Sequence, residues 1–341
     1  MGDTPYPETE MRVAEALSNA IVPDRLAVLH QAKIWALRRF YAGTRAYFET
    51  NPHAVAVAWN GLNTMRQIFM RAAQDAGSRT LFFELAPFPD RITVDPKGVN
   101  YQNALPRHAA PYLAWAKTEC RNPLGWQELR DTITQRKPST HYRSDTPAPP
   151  MEGRFIFVPL QVPGDSQLRV FGGAFRTIDM FVDTLLQQAH HCPPGWHIRI
   201  KEHPSATPFV AAAIRVSGVR NVVLDNVTDT FQQVRQSELV LTVNSSVGLE
   251  AMFFDKPVVA AGDCFWAIDQ IAGAAKTPQA LAHLFADPGR VGFDPEARQA
   301  FFNFLNQEYY PRLSTPETPP ILNRLQGVDA YGFWDATPGP Q

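Results

Sequence analysis

Residues 238–262, ELVLTVNSSVGLEAMFFDKPVVAAG, leave the chain few ways to fold. Residues 239–243 are a short apolar run rich in β-branched side chains, Asn244, Ser245 and Ser246 break it, residues 247–254 fit two helical turns, and residues 258–261 are apolar again. The order is strand, polar turn, helix, strand. An uninterrupted apolar strand that feeds a helix through a turn of small residues belongs to a parallel sheet covered on both faces. The turn then lies at the carboxyl edge of that sheet, where open α/β folds take their ligands. Ser245 or Ser246 can cap the helix, whose first N–H groups suit a phosphate or carboxylate. Glu250, one turn on, is an acceptor placed for sugar hydroxyls. A plain serine-capped helix fits the same stretch equally well.

The alternation continues through the second half of the chain. Strand-like runs at 155–160, 197–204 and 221–224 are separated by helical patterns at 178–190, 209–216 and 229–235, the order of a doubly wound nucleotide-binding domain. Upstream, residues 8–50 carry apolar side chains at spacings of three and four, and residues 54–59, 64–75 and 80–83 predict a β-α-β unit. Glu84 directly follows the second of those strands. Residues 85–107 read as one long irregular loop, the kind that is usually functional. Within it Asp95, Asn100 and Arg107, with Asn60 at the end of the first strand, could hold a polyhydroxylated or anionic acceptor. The proline-rich stretch 137–153 reads as a linker. The expected organisation is an N-terminal acceptor domain over 1–140, a linker over 141–153, a donor domain over 154–290, and C-terminal helices over 291–341 packing back across both.

At 341 residues, two domains of ordinary size are the better expectation. A net charge of -1 gives no general attraction to nucleic acid or to anionic membranes, so nucleic acid is excluded as a partner and any membrane contact must be local. Lys33, Arg38, Arg39 and Arg45 make one side of the 8–50 region basic and aromatic. That side reads first as a solvated helix face, and second as a peripheral contact with the inner membrane surface or with an anionic acceptor. The acidic N-terminus and the absence of an apolar run of roughly 18 residues predict a cytoplasmic protein. Cys120, Cys192 and Cys264 lack metal or redox spacing and read as buried, reduced thiols.

Three predicted strand ends converge on one edge of the donor domain. They bring Gln161, Asp165 and Gln167, then Lys201, Glu202 and His203, then Asn244, Ser245, Ser246 and Glu250. Singly, His203 before a proline and Asp165 in PGDS read as turn residues. Together they supply an acid, a basic group, an anion-binding helix start and a hydroxyl acceptor, the parts that glycosyl transfer from a nucleotide sugar requires.

The runs VPLQVPGDSQL, KEHP and NSSVGLEAMFFDKPVVAAG, with WNG at 59–61, FE at 83–84 and DPKGVN at 95–100, resemble motifs of the bacterial capsule polysaccharide synthesis and export family. That family includes the retaining β-Kdo transferases of group 2 capsule assembly. The resemblance spans most of residues 54–262. It implies a GT-B-like α/β architecture, two Rossmann-like domains with parallel sheets facing across a cleft. It also implies a CMP-Kdo donor, a saccharide or lipid-linked acceptor, retention of configuration, and neither metal nor cofactor. Carried over residue by residue, it makes His203 a phosphate contact and gives Asn244, Ser245 and Ser246 the phosphate or the Kdo carboxylate. Glu250 receives the ribose, Asp165 is the nucleophile and Glu84 the acid/base. A nucleotide-sugar epimerase or a CDP-glycerol-type polyol-phosphate transferase would share the architecture, although the PLQ-x-x-x-DSQ run argues against both. A non-catalytic accessory subunit of capsule assembly is the third reading.

Overall fold

The computed structural model describes residues 6–19, 27–133, 149–203 and 209–315. The chain forms two compact units, Met1–Pro106 with Gln307–Gln341, and Arg107–Asn306.

In the first unit, α1 (Thr9–Ser18), α2 (Ala27–Thr50) and α3 (Thr64–Asp75) accompany β1 (Val55–Trp59), β2 (Arg79–Leu85) and β3 (Ile92–Asp95). The apolar spacing in 8–50 becomes two helices whose inner faces pack Val13, Ala16, Leu37 and Tyr41 against Ile68 and Ala72 of α3. Asp75 ties the three helices together. It accepts from Arg12 Nε at 2.8 Å and from Tyr41 Oη at 2.7 Å, and these partners outweigh the effect of burial, so its carboxyl sits below the usual aspartate range.

The sheet runs β1-β2-β3, with β1 and β2 parallel and β3 antiparallel to β2, Phe82 opposite Asp95. This corrects two expectations, that the sheet would be parallel throughout and that residues 85–107 would be one irregular loop. The ITVD segment is too short and too closely flanked by turn residues for its periodicity to show, yet all four residues are buried once paired with β2. Asp90, just before it, has φ 54°, which marks the turn.

The second unit holds α4 (Ala110–Thr118), α5 (Gly125–Asp131), β4 (Arg154–Pro159), α6 (Ser166–Phe171), α7 (Ile178–Gln188), β5 (Trp196–Lys201), α8 (Val210–Ser217) and β6 (Val222–Leu224). It continues through α9 (Thr230–Gln236), β7 (Leu239–Thr242), α10 (Ser246–Ala251), β8 (Val258–Ala260), β9 (Gly273–Ala274), α11 (Pro278–Ala286) and α12 (Pro295–Phe304). The strands form one sheet, β6-β5-β4-β7-β8-β9, in which every pairing is parallel. Every residue of β7 and β8 is buried, which is why these strands read as continuous apolar runs. The flanking helices start where the sequence offers caps: Thr177 accepts from Met180 N–H, and Asp229 from Phe231 and Gln232 N–H.

The units divide at Pro106 and Arg107, whereas the sequence reading put the division at 141–153, of which residues up to 148 lie outside the described part. Residues 107–131 join the second unit because α4 and α5 pack on α12. Tyr112 lies edge-on to Phe301 at 5.1 Å, and Trp115 to Phe304 at 5.3 Å. Asn303 and Asn306 bond the α5 backbone through Trp126 N–H and Gly125 C=O.

Candidate functional site

From β4 the chain crosses to β5 and β6 on one side, then returns to β7 on the other. The connections after β4 and β7 therefore diverge, and a crevice opens between their carboxyl ends, the place where open parallel sheets bind ligands. Gln161 and Asn244, each two residues past its strand, meet there. Asn244 N–H donates to Gln161 Oε1 at 3.2 Å, and Gln161 Nε2 donates to Asn244 Oδ1 at 2.9 Å. Asn244 Nδ2 also donates to the carbonyls of Gln167 at 3.1 Å and Asp263 at 3.4 Å. Both side chains are buried, so one amide pair fixes the ends of β4, β7 and β8 relative to each other.

Two helix starts flank the pair. Asp165 caps α6, its Oδ1 accepting from Gln167 N–H at 2.9 Å, while its Oδ2 lies 3.4 Å from Gln161 Nε2. Ser245 caps α10, accepting from Val247 N–H at 3.2 Å. Gly248 lets α10 lie against the sheet: a Cβ there would stand 2.6 Å from the Trp266 ring and 2.9 Å from Thr242. Asp165, Ser166, Gln167, Ser245 and Ser246 form a half-exposed rim around a floor that contains Gln161, Asn244 and Glu250, all buried. One carboxylate, several hydroxyls and backbone amides thus surround a rigid polar floor.

The β5 group is differently employed. Lys201 Nζ donates to the carbonyls of Asn226 at 3.1 Å and Thr228 at 2.7 Å, and burial lowers its amine below the usual lysine range despite Asp225 and Asp229. Glu202 Oε1 accepts from the Phe209 and Val210 amides at 3.0 Å, and its Oε2 from Asn226 Nδ2 at 2.8 Å. Both side chains hold the β6–α9 loop and the start of α8. Beneath them Arg199 and Asp225, both wholly buried, form an ion pair at 2.9 Å. His203, half-buried, stands two residues past β5.

In the first unit Glu84 lies within β2 rather than after it, and Asn60 Nδ2 donates to its Oε2 at 2.5 Å. Asn60 has φ 65° and accepts Leu62 N–H, so this edge is shaped by a tight polar turn. Gly61, φ 75°, follows; a Cβ there would meet the Phe82 ring at 2.6 Å. Asp95 is a correction to the acceptor set. It is fully buried, with Oδ1 accepting from Lys97 and Gly98 N–H and Oδ2 from Ala104 N–H and Tyr309 Oη, at 2.8 to 3.0 Å. Burial pushes its carboxyl up and these bonds oppose the rise. It anchors its loop from inside. Asn100 has φ 55° and opens a 3₁₀ turn, and Arg107 is half-buried at the start of the second unit.

The sequence reading passed over Asp263, Trp266 and Asn226. An apolar strand ending in Gly262-Asp263 was the available signal for the first; the other two enter only through contacts distant in sequence. Among the described residues no group of three or more His, Cys, Asp or Glu is arranged to hold a metal ion, and no helix is long and apolar enough to cross a membrane.

This is an α/β protein of GT-B-like fold. Its similarity is to the capsule polysaccharide synthesis proteins: residues 124–283 match the family described as capsule polysaccharide biosynthesis protein. The chain is 29% identical over 268 residues to Protein FixF of Sinorhizobium fredii, covering 79% of this chain and 63% of that protein. It is 22% identical over 180 residues to the capsule polysaccharide export protein KpsS of Escherichia coli, covering 50% and 45%. It therefore spans less than two thirds of either curated relative. The solved β-Kdo 2,7 transferase KpsC of Thermosulfurimonas dismutans shares the fold, with a TM-score of 0.54 at 16% identity over 80% of this chain and 83% of that one.

Proposed function

We propose that the chain is a retaining glycosyltransferase that moves Kdo, or a related ulosonic acid, from a CMP-linked donor to a saccharide or lipid-linked acceptor in surface polysaccharide synthesis. The observation that carries this reading is the buried Gln161–Asn244 pair at the switch point, with Asp165 on its rim, inside the segment that matches the capsule family. On this reading Ser245, Ser246 and His203 receive the phosphate or the sugar carboxylate, and Glu250 the ribose. Two inversions give retention. Asp165 Oδ2, the oxygen that does not take the cap bond, attacks C2 of the sugar and CMP departs with the bonding pair; the acceptor hydroxyl then attacks C2, giving its proton to a general base, and Asp165 departs as its carboxylate. The acid/base role that the resemblance gives Glu84 is part of the proposal, as is independence from divalent metal, since helix-start amides and a histidine can stabilise the leaving phosphate.

The test is CMP release from CMP-Kdo in excess EDTA, with intact-protein mass spectrometry in the absence of acceptor. Release, and a one-sugar adduct on the Asp165 peptide that Asp165→Ala abolishes with a rate loss on the order of 10³-fold, is the expected result. An untouched CMP-Kdo with turnover of CDP-glycerol or a UDP-sugar would replace this reading with the polyol-phosphate or epimerase alternative.

A further inference from the structure

Arg298 carries a charge that the second unit does not answer. It lies in the first turn of α12, is only 3% exposed, and its Nε donates to the Ile271 carbonyl at 2.8 Å. The N–H groups of Nη1 and Nη2 are buried and meet no acceptor among the described residues. The Phe293 ring covers one face of the guanidinium, its centroid 3.3 Å from Cζ. Ile271 stands just before β9, at the amino edge of the sheet, so this cation lies away from the Gln161–Asn244 edge.

Hydrogen bonding and charge are both unmet, and each omission costs stability in a buried group. The acids around Arg298 do not supply the want. Asp294, the cap of α12, accepts from Glu296 N–H at 2.8 Å and from Ala297 N–H at 3.2 Å, and Glu296 itself is exposed. Asp255, in the turn before β8, is exposed as well and makes no ion pair with Arg298. Burial pulls the guanidinium well below the usual arginine range, and attraction to Asp255 opposes that fall only in part. The start of a helix is, besides, the end that disfavours a cation. Water answers the N–H groups and leaves the charge, whereas an anion answers both. With Phe293 on one face and Ile271 on the Nε edge, the fork between Nη1 and Nη2 is what remains for a ligand. So deeply buried a fork suits a small ion rather than a phosphoryl or carboxylate group borne on a larger molecule.

We propose that the Nη1–Nη2 fork of Arg298 binds a small monovalent inorganic anion, of chloride or bromide size, at the amino edge of the second unit. The anion stabilises the fold of that unit and takes no part in group transfer. The site stands or falls independently of the function proposed above, because its occupancy is read with neither donor nor acceptor present.

The experiment follows the melting temperature of the purified full chain and the quadrupolar line width of chloride in NMR, with sodium chloride exchanged for sodium gluconate at constant ionic strength. Screening is thereby held fixed, and gluconate is too large for the fork. Wild type is expected to melt roughly 3 °C higher at about 300 mM chloride than at about 10 mM, and to broaden the chloride line. Arg298→Met removes the charge together with its donors, so it should fold and lose both responses. Arg298→Lys keeps a charge without the planar fork and should respond only at roughly tenfold higher chloride; it carries the test if Arg298→Met does not fold. Asp255→Asn removes a carboxylate that repels the incoming anion and should respond at lower chloride than wild type. A wild type that melts alike in the two salts overturns the proposal, as does a chloride response that survives in Arg298→Met. Asp255→Asn melting well below wild type in both salts, with neither protein responding to chloride, would make Asp255 the counter-charge in solution and would overturn it as well.

Discussion

The carboxyl edges of the two sheets are built on different plans. In the second unit the edge rests on Gln161 and Asn244, buried side chains 83 residues apart that exchange hydrogen bonds under a six-stranded parallel sheet. In the first unit Asn60 and Glu84 meet half-exposed on a three-stranded mixed sheet, and the nearby loop is held by one interior carboxylate, Asp95. The first plan gives a preformed polar floor, where the proposed function puts the nucleotide. The second fixes the edge through short local turns and leaves more of it open. The contrast teaches that order at a site comes from bonds between distant strands more than from the number of polar groups present.

The comparison breaks most readily where each plan depends on a buried charge. Arg199→Met leaves Asp225 uncompensated, and a loss of about 3 to 5 kcal/mol in denaturant unfolding of the second unit is expected. Asp225→Asn in the same background should restore part of it. Burial would raise the Asp225 carboxyl, but its bonds from Thr228 and Arg199 outweigh that and hold it below the usual range. An acid whose folded value is lowered loses its stabilising contribution as pH falls, so the difference between wild type and Arg199→Met should shrink below about pH 3.9. A difference that stays constant to lower pH would deny the pair this role.

Asp95→Ala should cost about 2 to 4 kcal/mol, because the Lys97, Gly98 and Ala104 amides lose a buried acceptor. Tyr309→Phe removes a single donor to the same carboxylate and should cost about 1 to 2 kcal/mol. If Tyr309→Phe proved the more damaging, the loop would be held by the returning chain end rather than by Asp95, and the contrast between the two edges would need redrawing.

What could be read in the sequence follows the same division. The 64–75 helix and the runs that became β4, β7 and β8 were legible because their patterns are local and their strands buried on both faces. So was the Ser245 cap of α10, since small polar residues at a strand-to-helix turn announce one, whereas Asp165, read as a turn residue, proves to cap α6. Partners were not legible. Nothing in the sequence tells that Lys201 serves the β6–α9 loop, that Glu202 holds the start of α8, or that Asp95 faces inward to Tyr309. β3, α4 and α5 escaped notice for a related reason: β3 is short and lies among turn residues, and α4 is apolar nearly throughout, so packing against β2 and α12 sets their place.

The central claim is that the Gln161–Asn244 edge, and not the Asn60–Glu84 edge, holds the nucleotide. Titration calorimetry with CMP tests it on three proteins: wild type, Asn244→Ala and Glu84→Gln, each verified as folded by its melt. The account predicts at least about a tenfold loss of affinity in Asn244→Ala, the scale of a hydrogen bond to a charged ligand, and affinity within about twofold of wild type in Glu84→Gln. Undiminished CMP binding by folded Asn244→Ala, or an equal loss in Glu84→Gln, would contradict it.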